Sequence, residues 1–130
     1  MRRTLTRTLF ALIAAAAACS NGSLTDAAPV DETSRAALFA GSCASPAPLH
    51  LAPAESRVPD AFIVVYQDGL TDPNARTSEL AAKYDFTTRY RWEHALKGFA
   101  ADLRPATVRA LRCEAGVKYI EEDAVVSIEG

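Results

Sequence analysis

Ala61-Phe62-Ile63-Val64-Val65-Tyr66-Gln67 is a run of β-favouring apolar residues closed by the turn pair Asp68-Gly69. Side chains alternate along a strand, so Phe62, Val64 and Tyr66 face one way and Ile63 and Val65 the other. Both faces are apolar. That places the strand in the middle of a sheet and requires something to cover each side of it.

The chain downstream supplies candidates. Asp72-Pro73 opens a helix: the aspartate caps free N–H groups and the proline suits the first helical position. Thr77, Leu80, Ala81 and Tyr84 recur at helical spacing, and the helix is expected to end near Asp85. Phe86 to Glu93 alternates, with Phe86, Thr88, Tyr90 and Trp92 on one face and Thr87, Arg89, Arg91 and Glu93 on the other. This predicts a half-buried edge strand. Leu96 to Leu103 forms a further strand, with Phe99, Ala101 and Leu103 towards the core and Gly98 and Ala100 away from it. Pro105 opens a second helix with Val108 and Leu111 as its core residues, and Gly116 stands where a left-handed cap belongs. Val117 to Glu122 is the last strand. The order is β-α-β-β-α-β, an α+β chain of the ferredoxin-like plan: a four-stranded antiparallel sheet with two helices on one face.

Three stretches at matching separations carry a family resemblance: Val58-Pro59-Asp60-Ala61-Phe62-Ile63-Val64-Val65-Tyr66, Ala95-Leu96-Lys97-Gly98-Phe99-Ala100-Ala101-Asp102-Leu103, and Val117-Lys118-Tyr119-Ile120-Glu121-Glu122-Asp123. Residues 58–130 resemble the propeptide domain of subtilisin-type serine proteases, in the proteinase K-like branch. In such precursors the catalytic domain follows directly after a stretch like Val125-Val126-Ser127-Ile128-Glu129-Gly130. Here the sequence stops, so the resemblance implies a freestanding inhibitor of subtilisin-like serine proteases and not a protease.

The resemblance also assigns roles. The open face of the sheet packs on two helices of the protease, and Gly98 and Ala100 let the partner approach closely. By position in the motif, Glu121 and Asp123 match the acids that cap those helices; a helix N-terminus carries unpaired N–H donors and about half a positive charge. Glu122 is expected to face solvent. The tail of Ala124, Val125, Val126, Ser127, Ile128, Glu129 and Gly130 lies in the substrate cleft as a product mimic, adding main-chain hydrogen bonds as an extra strand. Counting from Asp123 puts Glu129 in the primary specificity pocket; ending the tail at the cut puts Gly130 there. A folding assistant acting in trans would use the same surface, and a truncated protease precursor would share the same motifs. An exposed apolar sheet face alone also suits a homodimer or a passive envelope module.

Ahead of this domain the first 19 residues have the form of an export signal: Arg2, Arg3 and Arg7, then an apolar run from Leu9 to Ala18, then Cys19. The apolar run is shorter than the roughly 20 residues a membrane-spanning helix needs. Ala16-Ala17-Ala18-Cys19 resembles a bacterial lipoprotein signal, which implies lipidation of Cys19 and a membrane contact through that lipid alone; an ordinary secretory cleavage near Ala18 is the alternative. Residues 20–57 hold Pro29, Pro46, Pro48 and Pro53, four of the seven prolines, among many Ala and Ser, and are expected to form a tether. Glu32 to Ala40 suits a short helix. In an exported protein Cys43 and Cys113 either form a disulfide or remain two thiols.

Several functions are excluded on composition and motif. A net charge of −2 gives no basis for nucleic-acid binding. Lys97-Gly98-Phe99-Ala100 lacks the companion aromatics of an RNA-binding strand. The folded part has His94 as its only histidine and no Gly-x-Ser-x-Gly elbow, so a catalytic triad is not expected. With no Cys-x-x-Cys and no histidine cluster, neither a metal nor another cofactor is implied, and the free protein is expected as a monomer.

Overall fold

The computed structural model describes residues 31–128. The signal, Cys19, residues 20–30 of the expected tether, Glu129 and Gly130 lie outside the described residues. Eight elements follow in order: α1 (Glu32–Leu38), β1 (Leu49–His50), β2 (Arg57–Tyr66), α2 (Pro73–Tyr84), β3 (Thr88–Glu93), β4 (Lys97–Asp102), α3 (Pro105–Leu111) and β5 (Val117–Ala124). They build one five-stranded sheet in the order β1-β5-β2-β4-β3. Only β1–β5 is parallel; the other pairs are antiparallel.

The central position of β2 follows from its composition. Phe62, Val64 and Tyr66 are buried against Leu80 of α2, Val108 and Leu111 of α3, Phe99 of β4 and Ile120 of β5. Burying each such side chain stabilises by roughly 2 kcal/mol. Helix propensity differs by tenths of a kcal/mol per residue, so packing decides whether a helix as short as α3 exists at all. The Tyr66 hydroxyl, pushed up in pKa chiefly by burial, lies 2.9 Å from Thr77 Oγ1. Thr77 spends its own proton on Pro73 O at 2.7 Å, so Tyr66 is the donor and pins α2 to the sheet.

Local signals behave as their chemistry requires. Asp72 Oδ1 accepts from Ala75 N at 2.9 Å, and Asp85 closes α2 in the left-handed conformation at φ 55°. Gly116 is also left-handed, at φ 88°. It does not cap α3 directly, however: that helix ends at Leu111, and the glycine serves the turn into β5. Glu114, in the same turn, accepts from Arg76, Lys83 and Tyr84 and so joins α2 to the end of α3.

Residues 31–57 correct the expectation of a tether. Asp31 caps α1 by accepting from Thr33 N. Arg109 of α3 and Arg112 just after it reach the carbonyls of Leu38 and Phe39, each at 2.7 Å, satisfying acceptors that the end of α1 leaves free. Phe39 enters the core against Phe62, ring centroids 5.5 Å apart. Ala47 N donates to Arg112 O and Ile120 N donates to Pro48 O. These bonds run mostly through main-chain atoms, so an Ala/Pro/Ser-rich segment makes them without a periodic apolar pattern. Cys43 and Cys113 are joined in a disulfide with their Cα atoms 5.8 Å apart.

The bridge closes a loop of 70 residues in sequence, which in the chain-entropy account stabilises by about 4 kcal/mol. The double variant Cys43→Ser/Cys113→Ser is expected to lose much of that in urea unfolding while keeping the β-sheet signal in far-UV circular dichroism. An unchanged midpoint would show that the bridge constrains little.

Candidate functional site: an uncovered sheet face and an extended tail

Ala61, Ile63 and Val65 of β2 point away from the helix-covered core. Cross-strand pairing extends their rows. Val65 lies opposite Tyr119 on β5 and Gly98 on β4, and Gly98 lies opposite Trp92 on β3. In the next row Glu121, Ile63, Ala100 and Tyr90 follow in the same order. The small residues Gly98 and Ala100 therefore form a low floor, between aromatic side chains on β3 and on β5. Tyr90 and Trp92 stack with centroids 6.4 Å apart, and Tyr119 meets His50 of β1 edge-on at 5.5 Å. Tyr90 is 67% exposed, which is unusual for a large aromatic and marks this rim as available surface.

The placement of Tyr90 and Trp92 differs from the expected alternation. The β3–β4 register shifts between Thr88 and Tyr90. This bulge leaves Thr88 opposite Ala101 and Arg91 opposite Phe99, on the core side, while Tyr90 and Trp92 turn to the uncovered face. Phe86, ahead of the strand, remains on the core side and stacks on Phe99 at 5.1 Å. No motif in the sequence marks the bulge.

Gly98 has a structural duty of its own. A Cβ there would run into the Val64 carbonyl and lie 3.2 Å from Val65 Cα, both main-chain groups of the neighbouring strand. Glycine is needed for β4 to approach β2, independently of any partner.

At the β5 end of the face, Glu121 is exposed and Asp123 half-buried, two residues apart and both alternate to Glu122. The expectation that Glu122 faces solvent is wrong: its side chain is fully buried, between Arg35 and Arg57. The chain then runs out of the sheet. Ala124 is still paired with Arg57, and Val125 N donates to Ser56 O at 2.8 Å. Val126 and Ile128 are 83% and 93% exposed, so the tail from there to the last described residue makes almost no contact with the other described residues. Exposed Val and Ile gain nothing from water, and their β-branched side chains favour an extended backbone. Among the described residues no group of three or more His, Cys, Asp or Glu side chains is placed to hold a metal ion. His94 stands in the turn between β3 and β4.

Among the described residues the molecule is thus an α+β sheet with helices on one face and a stretch after β5 that projects from it. The family model for peptidase inhibitor I9 matches residues 55–129, and the chain belongs to that family, the subtilisin propeptide-like inhibitor domain. The matched region is thus an inhibitor domain rather than a catalytic one. The chain is 40% identical over 94 residues to a cuticle-degrading protease of Metarhizium anisopliae, covering 69% of this chain and 23% of that protein. It is 38% identical over 85 residues to proteinase R of Parengyodontium album, 64% and 21% of the two chains, and 28% identical over 123 residues to alkaline serine exoprotease A of Vibrio alginolyticus, 87% and 23%. The chain spans less than a quarter of the length of each of these relatives.

Replacing Gly98 by Ala is expected to cost about 1–3 kcal/mol of unfolding free energy, because the main chain of β2 must shift. Tyr90→Ala is expected to stay within about 0.5 kcal/mol of the parent, as an exposed side chain does. Urea denaturation of the two variants beside the parent checks both; a neutral Gly98→Ala would show that β4 has room for a side chain.

Proposed function

We propose that this protein inhibits subtilisin-like serine proteases by laying its uncovered sheet face on the enzyme and its tail in the substrate cleft. The observation that carries this reading is the continuity of the two surfaces: the floor of Gly98 and Ala100, the acids Glu121 and Asp123, and the extended residues from Ala124 onward follow one another along the same side of β4 and β5. A shallow apolar trough with aromatic rims suits the convex side of packed helices. Glu121 and Asp123 lie at its end, where carboxylates would meet helix N-termini. The tail, residues 124–130, blocks the cleft as a product-like strand through main-chain hydrogen bonds. Glu129 or Gly130 occupies the primary pocket. The protein acts in an oxidising compartment after export, held to a membrane surface by a lipid at Cys19, and works as a monomer. Among the described residues no helix is long and apolar enough to cross a membrane.

The matching relatives are themselves proteases, which favours a second use of the same surface, as a folding template for a catalytic domain. Refolding yield of a denatured subtilase with and without the chain separates the two uses; no gain in yield removes the second.

In an activity assay against several subtilases, the full chain is expected to inhibit, and a chain lacking residues 124–130 to inhibit at least tenfold more weakly. Glu121→Ala with Asp123→Ala is expected to cost roughly tenfold, two helix-end interactions of about 0.7 kcal/mol each. No inhibition by the intact, folded chain would overturn the proposal.

A further inference from the structure

Glu122 is the one member of the acidic run that never reaches the uncovered face, and its surroundings lead back to the tail. Its carboxylate accepts from Ala52 N at 3.0 Å, from Arg57 Nε at 3.1 Å and from Arg35 Nη2. Arg57 donates from Nη2 to Ala52 O at 3.0 Å and to Glu32 Oε1 at 3.1 Å. The loop between those residues is closed on itself: Ser56 N and Arg57 N both donate to Pro53 O at 3.1 Å. Residues 52–57 are thus a small rigid collar clamped on Glu122.

The tail starts from that collar. Val125 N donates to Ser56 O, and Ala124 pairs with Arg57. Between this pair and the next, Phe62 with Glu122, the β2–β5 register is interrupted, and Asp60 takes φ 60° within the irregular stretch. The ladder that aligns the rest of β5 therefore does not reach the tail. Its first residues are held by Ser56 and Arg57, and these are held by Glu122. A buried ion pair adds little net stability against an apolar replacement, since desolvation offsets the attraction. Its two fixed, charge-assisted contacts nevertheless define one geometry for the groups that make them.

We infer that Glu122, acting through Arg57 and residues 52–57, is a positioning residue that sets the direction in which residues 124–128 leave the sheet. The consequence for inhibition rests on the proposed function above; the aiming of the tail does not. Glu122 and its neighbours Glu121 and Asp123 then divide the work of one strand, the middle acid aligning the tail from the covered side.

Amide hydrogen exchange on the full chain tests the aiming directly. In the parent, the Val125 amide is expected to be protected although its side chain is exposed. In Glu122→Gln, and in Arg57→Lys as a gentler variant that keeps the charge, its protection is expected to fall at least tenfold, while the Val64 and Phe99 amides of the β2–β4 ladder stay within about twofold. An unprotected Val125 in the parent overturns the inference, and so does an equal fall at all three amides in Arg57→Lys. Inhibition assays supply the second arm. Glu122→Gln is expected to weaken the full chain about tenfold and a chain lacking residues 124–130 less than twofold; equal losses overturn the inference. Absence of any inhibition by the parent would count against the proposed function alone, and the exchange result would still decide on the collar.

Discussion

Two apolar faces on β2 and helices for only one of them: this imbalance governs the molecule. Phe62, Val64 and Tyr66 find Leu80, Val108 and Leu111 above them. Among the described residues no helix covers Ala61, Ile63 and Val65, which are shielded instead by lying low between the strands on either side. Ala61 and Val65 are almost fully buried in this way, which keeps the face tolerable to water while the protein is alone. The cost of an uncovered sheet is thereby moved to the rims, to Tyr90, Trp92 and Tyr119, whose aromatic bodies suit contact with another surface.

The sheet edges show a second economy. β5 would be an open edge beside that face, but β1 pairs with it at Leu49 and His50. Two residues of parallel pairing suffice because the segment around them is fixed elsewhere, by Arg109, Arg112 and the Cys43–Cys113 bridge. At the far side, β3 carries Arg89 and Arg91, and charge there discourages pairing with another chain.

The central strand, both later helices and the two antiparallel partners of β2 were legible in the sequence, because each has a local signal: two-sided apolarity at 61–67, an Asp-Pro start at 72–73, a proline at 105, Phe99, Ala101 and Leu103 on one face of 96–103, and Gly116 ahead of 117–122. Glu121 and Asp123 were picked out by their position in the family motif, and strand alternation puts them on one side. Three features were not legible. The bulge at Arg89 turns Tyr90 and Trp92 over with no residue that announces it. The packing of residues 31–57 runs through carbonyls of Leu38, Phe39, Ala47 and Pro48, which any sequence would offer. The burial of Glu122 depends on Arg35 and Arg57, distant in the chain and brought near it by that same N-terminal segment; from the motif alone, three adjacent acids at a strand end read as solvated.

The covalent link between Cys43 and Cys113 has a bearing on durability. It turns β1, β2, α2, β3, β4 and α3 into a closed ring of polypeptide. A single hydrolytic nick anywhere within that ring, for instance in the exposed turn at His94, leaves both fragments attached and the sheet able to stay assembled. The segment beyond Cys113, with β5 and the tail, has no such safeguard. Under the proposed function, in which the partner cuts peptide bonds, the stretches outside the ring would be lost before the part it encloses.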